Sequence, residues 1–283
     1  MRLATVRRDG GTRAAVGDEA GWVVFDETDA QELFVSPGWR DRADAALRHP
    51  ARVDLEPADF ATPVPRPAKV FCCGLNYRDH IVETGRPVPE FPTLFAKFAD
   101  TLTGPTDDIV VRDSDRVDWE AELAVVVGAE VYRADRDQAG AAILGYTVSN
   151  DISMRDWQQR TLQWLQGKAF DATTPVGPWI VTADEIDPRR GLRISCAVNH
   201  EEMQRGDTAE LVFDAADLVA YVSQITVLRP GDIVLTGTPG GVALGMPEPR
   251  WLRDGDVVTT EIDGIGALRN TIRYDVGARA DAV

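Results

Sequence analysis

Asp118-Trp119-Glu120-Ala121-Glu122-Leu123-Ala124-Val125-Val126-Val127 is the stretch on which the reading of this chain turns. Its apolar half reads as a strand and falls far short of the roughly 20 residues that cross a bilayer. Side chains alternate along a strand, so Glu120 and Glu122 point to one face, with their charges within about 7 Å. If that face is enclosed, the repulsion demands a cation or a shared proton. A solvated strand face is the plain alternative.

Working outward, Val70-Phe71-Cys72-Cys73 and Ile194-Ser195-Cys196-Ala197-Val198 carry the same strand signal, and Gly-Asp turns lead into Ile233-Val234-Leu235 and Val257-Val258-Thr259. Asp214 predicts the cap of a helix with Leu218, Val222 and Ile225 on its apolar face, stopped before Pro230. Asp41 to Arg48 also reads as helical. Pro57, Pro63, Pro65 and Pro67 favour an extended connector, which places a boundary between a small unit over 1–65 and a larger, mainly β unit over 66–283.

The 283 residues carry 30 Lys and Arg against 46 Asp and Glu, a formal charge of −16, which argues against a nucleic-acid binder with a general basic surface. With 44% hydrophobic residues the composition is that of a globular protein rather than an acidic disordered chain. Cys72 and Cys73 are adjacent and Cys196 stands apart, so a disulfide framework is not expected. The basic N-terminus runs into Asp9-Gly10-Gly11 without an apolar signal core, and the expectation is a cytoplasmic protein with no membrane partner.

Asp151 ends an apparent strand, Gly145 to Asn150, ahead of a helix-like Arg155 to Arg160. It reads either as a helix cap or as a third carboxylate beside Glu120 and Glu122. Three hard oxygen donors would select Mg²⁺ or Mn²⁺ over zinc. His80 and Glu83 share a face if their segment is helical, giving either a carboxylate-oriented imidazole able to take a proton from water or an ordinary surface pair. Trp157 and Trp164, seven apart, read as a core face of one helix, and Gly240-Gly241 as a turn without a phosphate-loop context.

Five ordered blocks carry a family resemblance: Gly74 to His80, Asp118 to Val126, Asn150 to Asp156, Gly167 to Asp171 and Leu235 to Pro239. Together they resemble the fumarylacetoacetate hydrolase family. That resemblance implies an α+β, mainly β fold, a β-roll catalytic domain with a small N-terminal accessory domain, and a homodimer. It implies a divalent cation, Mg²⁺ or Mn²⁺, on Glu120, Glu122 and Asp151, a water-activating pair in His80 and Glu83, and an oxyanion-assisting Lys168. Arg155, Gln158 and Thr238 match substrate-binding positions. The implied activity is hydrolysis of a carbon–carbon bond in an acylpyruvate-like 2-oxo acid. Decarboxylation of oxaloacetate, isomerisation of an unsaturated 2-oxo diacid, or a non-catalytic metal-binding role are the alternatives.

Overall fold

The computed structural model describes residues 1–49, 51–83, 85 and 87–275, with the His80 side chain outside that description. Strand Ala121–Val127 is buried along its whole length. Leu123, Val125 and Val127 enter one core cluster, while Ala124 and Val126 enter a second with Leu3, Leu33 and Phe34. A strand covered on both faces reads as a continuous apolar run, which is why alternation is visible only at its acidic start.

Among the described residues this strand sits inside an eleven-stranded sheet. Ile143–Asn150 flanks it on one side, antiparallel, and Ile233–Leu235 on the other. Beyond the latter, Val70–Gly74 pairs in parallel and Thr93–Lys97 closes that edge. On the far side Thr174–Thr182 joins Ile143–Asn150 to the N-terminal strands through Arg2–Arg8. A second sheet of five strands holds Glu201–Asp207, Arg193–Val198, Val257–Ile262, Gly266–Tyr274 and Ile109–Val111 in that order. The architecture is α+β and mainly β, as expected.

Helices are short. Asp214 caps Ala215–Ile225 with a reciprocal capping box to Asp217, as the sequence predicts. The buried stripe, however, is Leu218, Val219 and Val222, and Ile225 in the last turn is exposed. Trp157 and Trp164 do not share a helix: Arg155–Gln158 ends before Trp164, which only precedes Leu165–Lys168. Among the described residues no helix is long and apolar enough to cross a membrane.

Candidate active site

Strand ends bring the acidic residues together. Glu120 immediately precedes the central strand and Glu122 is its second residue, while Asp151 follows its neighbour Ile143–Asn150, with the Asp151 N–H donating to the Glu120 carbonyl at 2.8 Å. One oxygen from each of Glu120, Glu122 and Asp151 lies within 4.8 Å of the others, and all three residues are buried. Asp151 is therefore not a helix cap, since the following helix has Met154 at that position.

At about 4 Å two like charges repel by about 4 kcal/mol even at an effective dielectric of 20, so this cluster cannot stand alone. Lys168 Nζ donates to Glu120 Oε2 at 2.6 Å and to Asp151 Oδ2 at 2.8 Å. Buried Lys97 closes on the other Asp151 oxygen. Arg155 bridges Asp118 Oδ2 at 2.8 Å and Glu120 Oε1 at 2.6 Å. Among the described residues, four buried carboxylates, with Asp118, thus face three buried cations.

The excess is relieved by favouring the neutral form of Glu122. Burial, then Asp151 and Glu120, push its carboxyl well above the usual range, against Lys168 and a 2.6 Å hydrogen bond from the Gly237 N–H. Burial would also raise Glu120, but Lys168 and Arg155 outweigh it and hold that carboxyl low. An enclosed set of hard carboxylate oxygens, one more than its cations, fits a divalent cation of the Mg²⁺ or Mn²⁺ type, and among the described residues the cluster has no nitrogen or sulfur member of the kind usual for zinc.

The cluster opens into a cavity of about 570 Å³. Arg155, Gln158, Lys168 and Thr238 all line it, as does Glu83 at the end of helix Arg78–Glu83. Arg155 Nη1 donates to Gln158 Oε1 at 2.9 Å, and because a guanidinium can only donate, the Gln158 amide nitrogen is left as a donor. Glu83 Oε1 accepts from the Gly241 N–H at 3.3 Å. The His80 side chain, half of the expected pair, lies outside the described residues.

Trp164 forms an aromatic wall of this cavity, packed edge-on against Phe95 with ring centroids 5.6 Å apart. Only a glycine at position 74 permits it, since a Cβ there would lie 2.4 Å from the indole. Sequence reasoning missed this wall, having placed Trp164 on a core face, and it also missed Lys97 and the role of Asp118. The Lys97 signal was slight, a lone cation ending the apolar strand Thr93–Lys97. Asp118 stood in a quoted block without an assigned role. Cys73 borders the cavity too, its thiol pushed up to about 12 by burial and Glu122, which suits an inert packing residue.

Buried, counter-charged carboxylates at the wall of a cavity make a site with room for a small ligand. Residues 69–273 match the family described as fumarylacetoacetate (FAA) hydrolase, C-terminal. The chain belongs to the fumarylacetoacetate hydrolase family. A human relative named oxaloacetate tautomerase FAHD2A, mitochondrial, is 45% identical over 216 residues, 75% of this chain and 69% of its own. The fumarylacetoacetate hydrolase of Exiguobacterium antarcticum has a TM-score of 0.84 at 31% identity, covering 97% of this chain and 99% of that one. Maleylpyruvate hydrolase from Sphingobium sp. SYK-6, solved with manganese(II) and pyruvate, has a TM-score of 0.79 at 29% identity, covering 97% and 99%. The expectation of a cytoplasmic protein is corrected by the human relative and its rat and bovine counterparts, all named as mitochondrial. Mitochondrial leaders are amphipathic and Arg-rich, so the lack of an apolar signal core does not bear on them.

Proposed function

We propose that this protein is a metal-dependent enzyme that interconverts the keto and enol forms of an oxaloacetate-like 2-oxo acid through a stabilised enolate. The observation that carries the reading is the convergence of the Glu120–Glu122–Asp151 cluster with the donors of Gln158 and Thr238 in one cavity. The 45% identity to a tautomerase, against 29–31% for the named hydrolases, favours proton transfer over bond cleavage.

Glu120, Glu122 and Asp151 would hold Mg²⁺ or Mn²⁺, which when bound supplies Lewis acidity to a carboxylate and its adjacent oxo group. The chain's own residues do the rest. Gln158 and Thr238 orient the substrate with neutral hydrogen bonds. Lys168, fixed between Glu120 and Asp151, sets a positive charge where negative charge develops on the enolate oxygen. His80, the expected partner of Glu83, is the base in this reading: it would take the proton from the carbon next to the oxo group and return it to either end of the enolate.

Hydrolysis of an acylpyruvate is the second reading, favoured by Glu83 at the cavity wall. There His80 and Glu83 would deprotonate water instead. The test follows enol absorbance of oxaloacetate together with total oxaloacetate, and pyruvate release from acylpyruvates, in Mn²⁺-loaded protein. Rapid enol loss at constant total oxaloacetate, with acylpyruvates intact, is expected. Pyruvate release from an acylpyruvate would replace the first reading with the second.

A further inference from the structure

Gln204 reaches the site from the other sheet and bonds to Ala121, Thr238 and Pro239, none of them a carboxylate. It is buried, and both protons of its amide nitrogen are committed. Oε1 accepts the N–H of Ala121, the residue between Glu120 and Glu122, at 2.9 Å. Nε2 donates to the Pro239 carbonyl at 2.9 Å and to Thr238 Oγ1 at 2.8 Å. A backbone N–H can only donate and a carbonyl can only accept, so the amide cannot turn over without placing donor on donor and acceptor on acceptor. Thr238 Oγ1 is therefore obliged to accept, and its own proton must point elsewhere. No described protein group takes that proton, and Thr238 lines the cavity.

The strand is built for this task. Cys196 pairs with Gln204 and Ala197 with Glu202, so Met203 is an extra residue, and such bulges re-aim the side chains beside them. The loop that carries Thr238 is pressed onto the same strand. A Cβ at Gly241, whose φ is +95°, would lie 2.1 Å from the Met203 carbonyl, and one at Gly206 would lie 2.6 Å from Pro239.

We infer that Gln204 is a positioning residue that locks the Thr238 hydroxyl as a hydrogen-bond donor to the anionic substrate. The inference rests on the reading that a 2-oxo acid occupies the cavity. Gln204→Glu reverses the polarity, letting Thr238 donate to the new carboxyl instead of to the ligand. Its test is calorimetric binding of oxalate and pyruvate to Mn²⁺-loaded wild type, Gln204→Glu, Thr238→Val and the double variant, beside Mn²⁺ binding and thermal melting of each. About a tenfold loss of oxalate affinity is expected in each single variant, with no further loss in the double variant and Mn²⁺ affinity unchanged. Should Gln204→Glu not fold, Gln204→Met, which removes the donor but keeps the volume, is expected to weaken oxalate in the same direction. Additive losses, or a loss of Mn²⁺ affinity equal to that of oxalate, would reduce Gln204 to a structural strut and overturn the inference. Failure of the wild type to bind either acid would overturn the 2-oxo acid reading itself and this inference with it.

Discussion

Arg155 presents Nε and Nη2 to a single oxygen of Asp118, each 2.8 Å away, while the other oxygen of that carboxylate takes the N–H groups of Trp119 and Ala243. Leu244 donates to the Arg155-facing oxygen as well, at 3.0 Å. Asp118 therefore ties the loop around Leu244 to the arginine that steadies Glu120 and Gln158. In Asp118→Asn one amide N–H must face another donor whichever way the side chain turns. Breaking one side of a buried pair costs about 3 kcal/mol or more, so denaturant unfolding should show that loss. Turnover of oxaloacetate enol should fall at least about tenfold as Arg155 and Gln158 lose their setting.

Glu122 offers the opposite sign for stability and binding. Glu122→Gln removes the carboxyl whose ionisation the cluster opposes while keeping an acceptor for Gly237. The metal-free variant should melt at a higher temperature than metal-free wild type. Its Mn²⁺ affinity should drop by more than about 100-fold, beyond the 10–100-fold typical of losing an outer partner. Calorimetry on chelator-treated protein reads both effects, and a lower melting temperature would mean that Glu122 is compensated by a group other than those described.

Gly74→Ala places a methyl group 2.4 Å from Trp164 and should force the indole off its seat. Overpacking of this kind costs about 1–3 kcal/mol. KM for the 2-oxo acid should rise, and Trp164→Ala in the same chain should recover part of the lost stability. Simple addition of the two penalties would show that the indole yields without strain.

Asp214 gives a pH signature far from the site. Burial pushes its carboxyl up, but the Arg136 guanidinium and N–H groups of the helix start outweigh burial and hold it below the usual aspartate range. A carboxyl depressed in the folded state stabilises fully above its unfolded value, about 3.9, and that contribution disappears as pH falls through the folded value. Asp214→Ala should therefore cost about 1 kcal/mol at pH 7, the usual worth of such a cap. The gap to wild type in chemical denaturation should close progressively below about pH 4. A gap that persists unchanged at low pH would assign the loss to the capping geometry rather than to charge.

How far the site could be read without coordinates depended on how local each signal was. Glu120 and Glu122 lie two apart on a strand, and the pleat alone puts them together. Asp151 was visible as a residue at a strand end, though only pairing of Ala121 with Asn150 makes it a neighbour. Lys97 and Gln204 gain their meaning from strands more than fifty residues away from their partners, Asp151 and Ala121, and carry no spacing that points there. Trp164 was misplaced because the seven-residue spacing from Trp157 assumes an unbroken helix, whereas the chain leaves helical geometry after Gln158. The apolar strands were legible for the opposite reason, since burial on both faces leaves few polar interruptions.

The Gly237 N–H that steadies Glu122 lies 115 residues further along the chain, and the Ala243 N–H that steadies Asp118 lies 125 residues further. On the ribosome the acidic strand is thus made well before either anchor exists. A nascent chain stalled short of Gly237 holds all three clustered carboxylates yet lacks the backbone N–H groups that fix Glu122 and Asp118, so the cluster closes among the last events of synthesis.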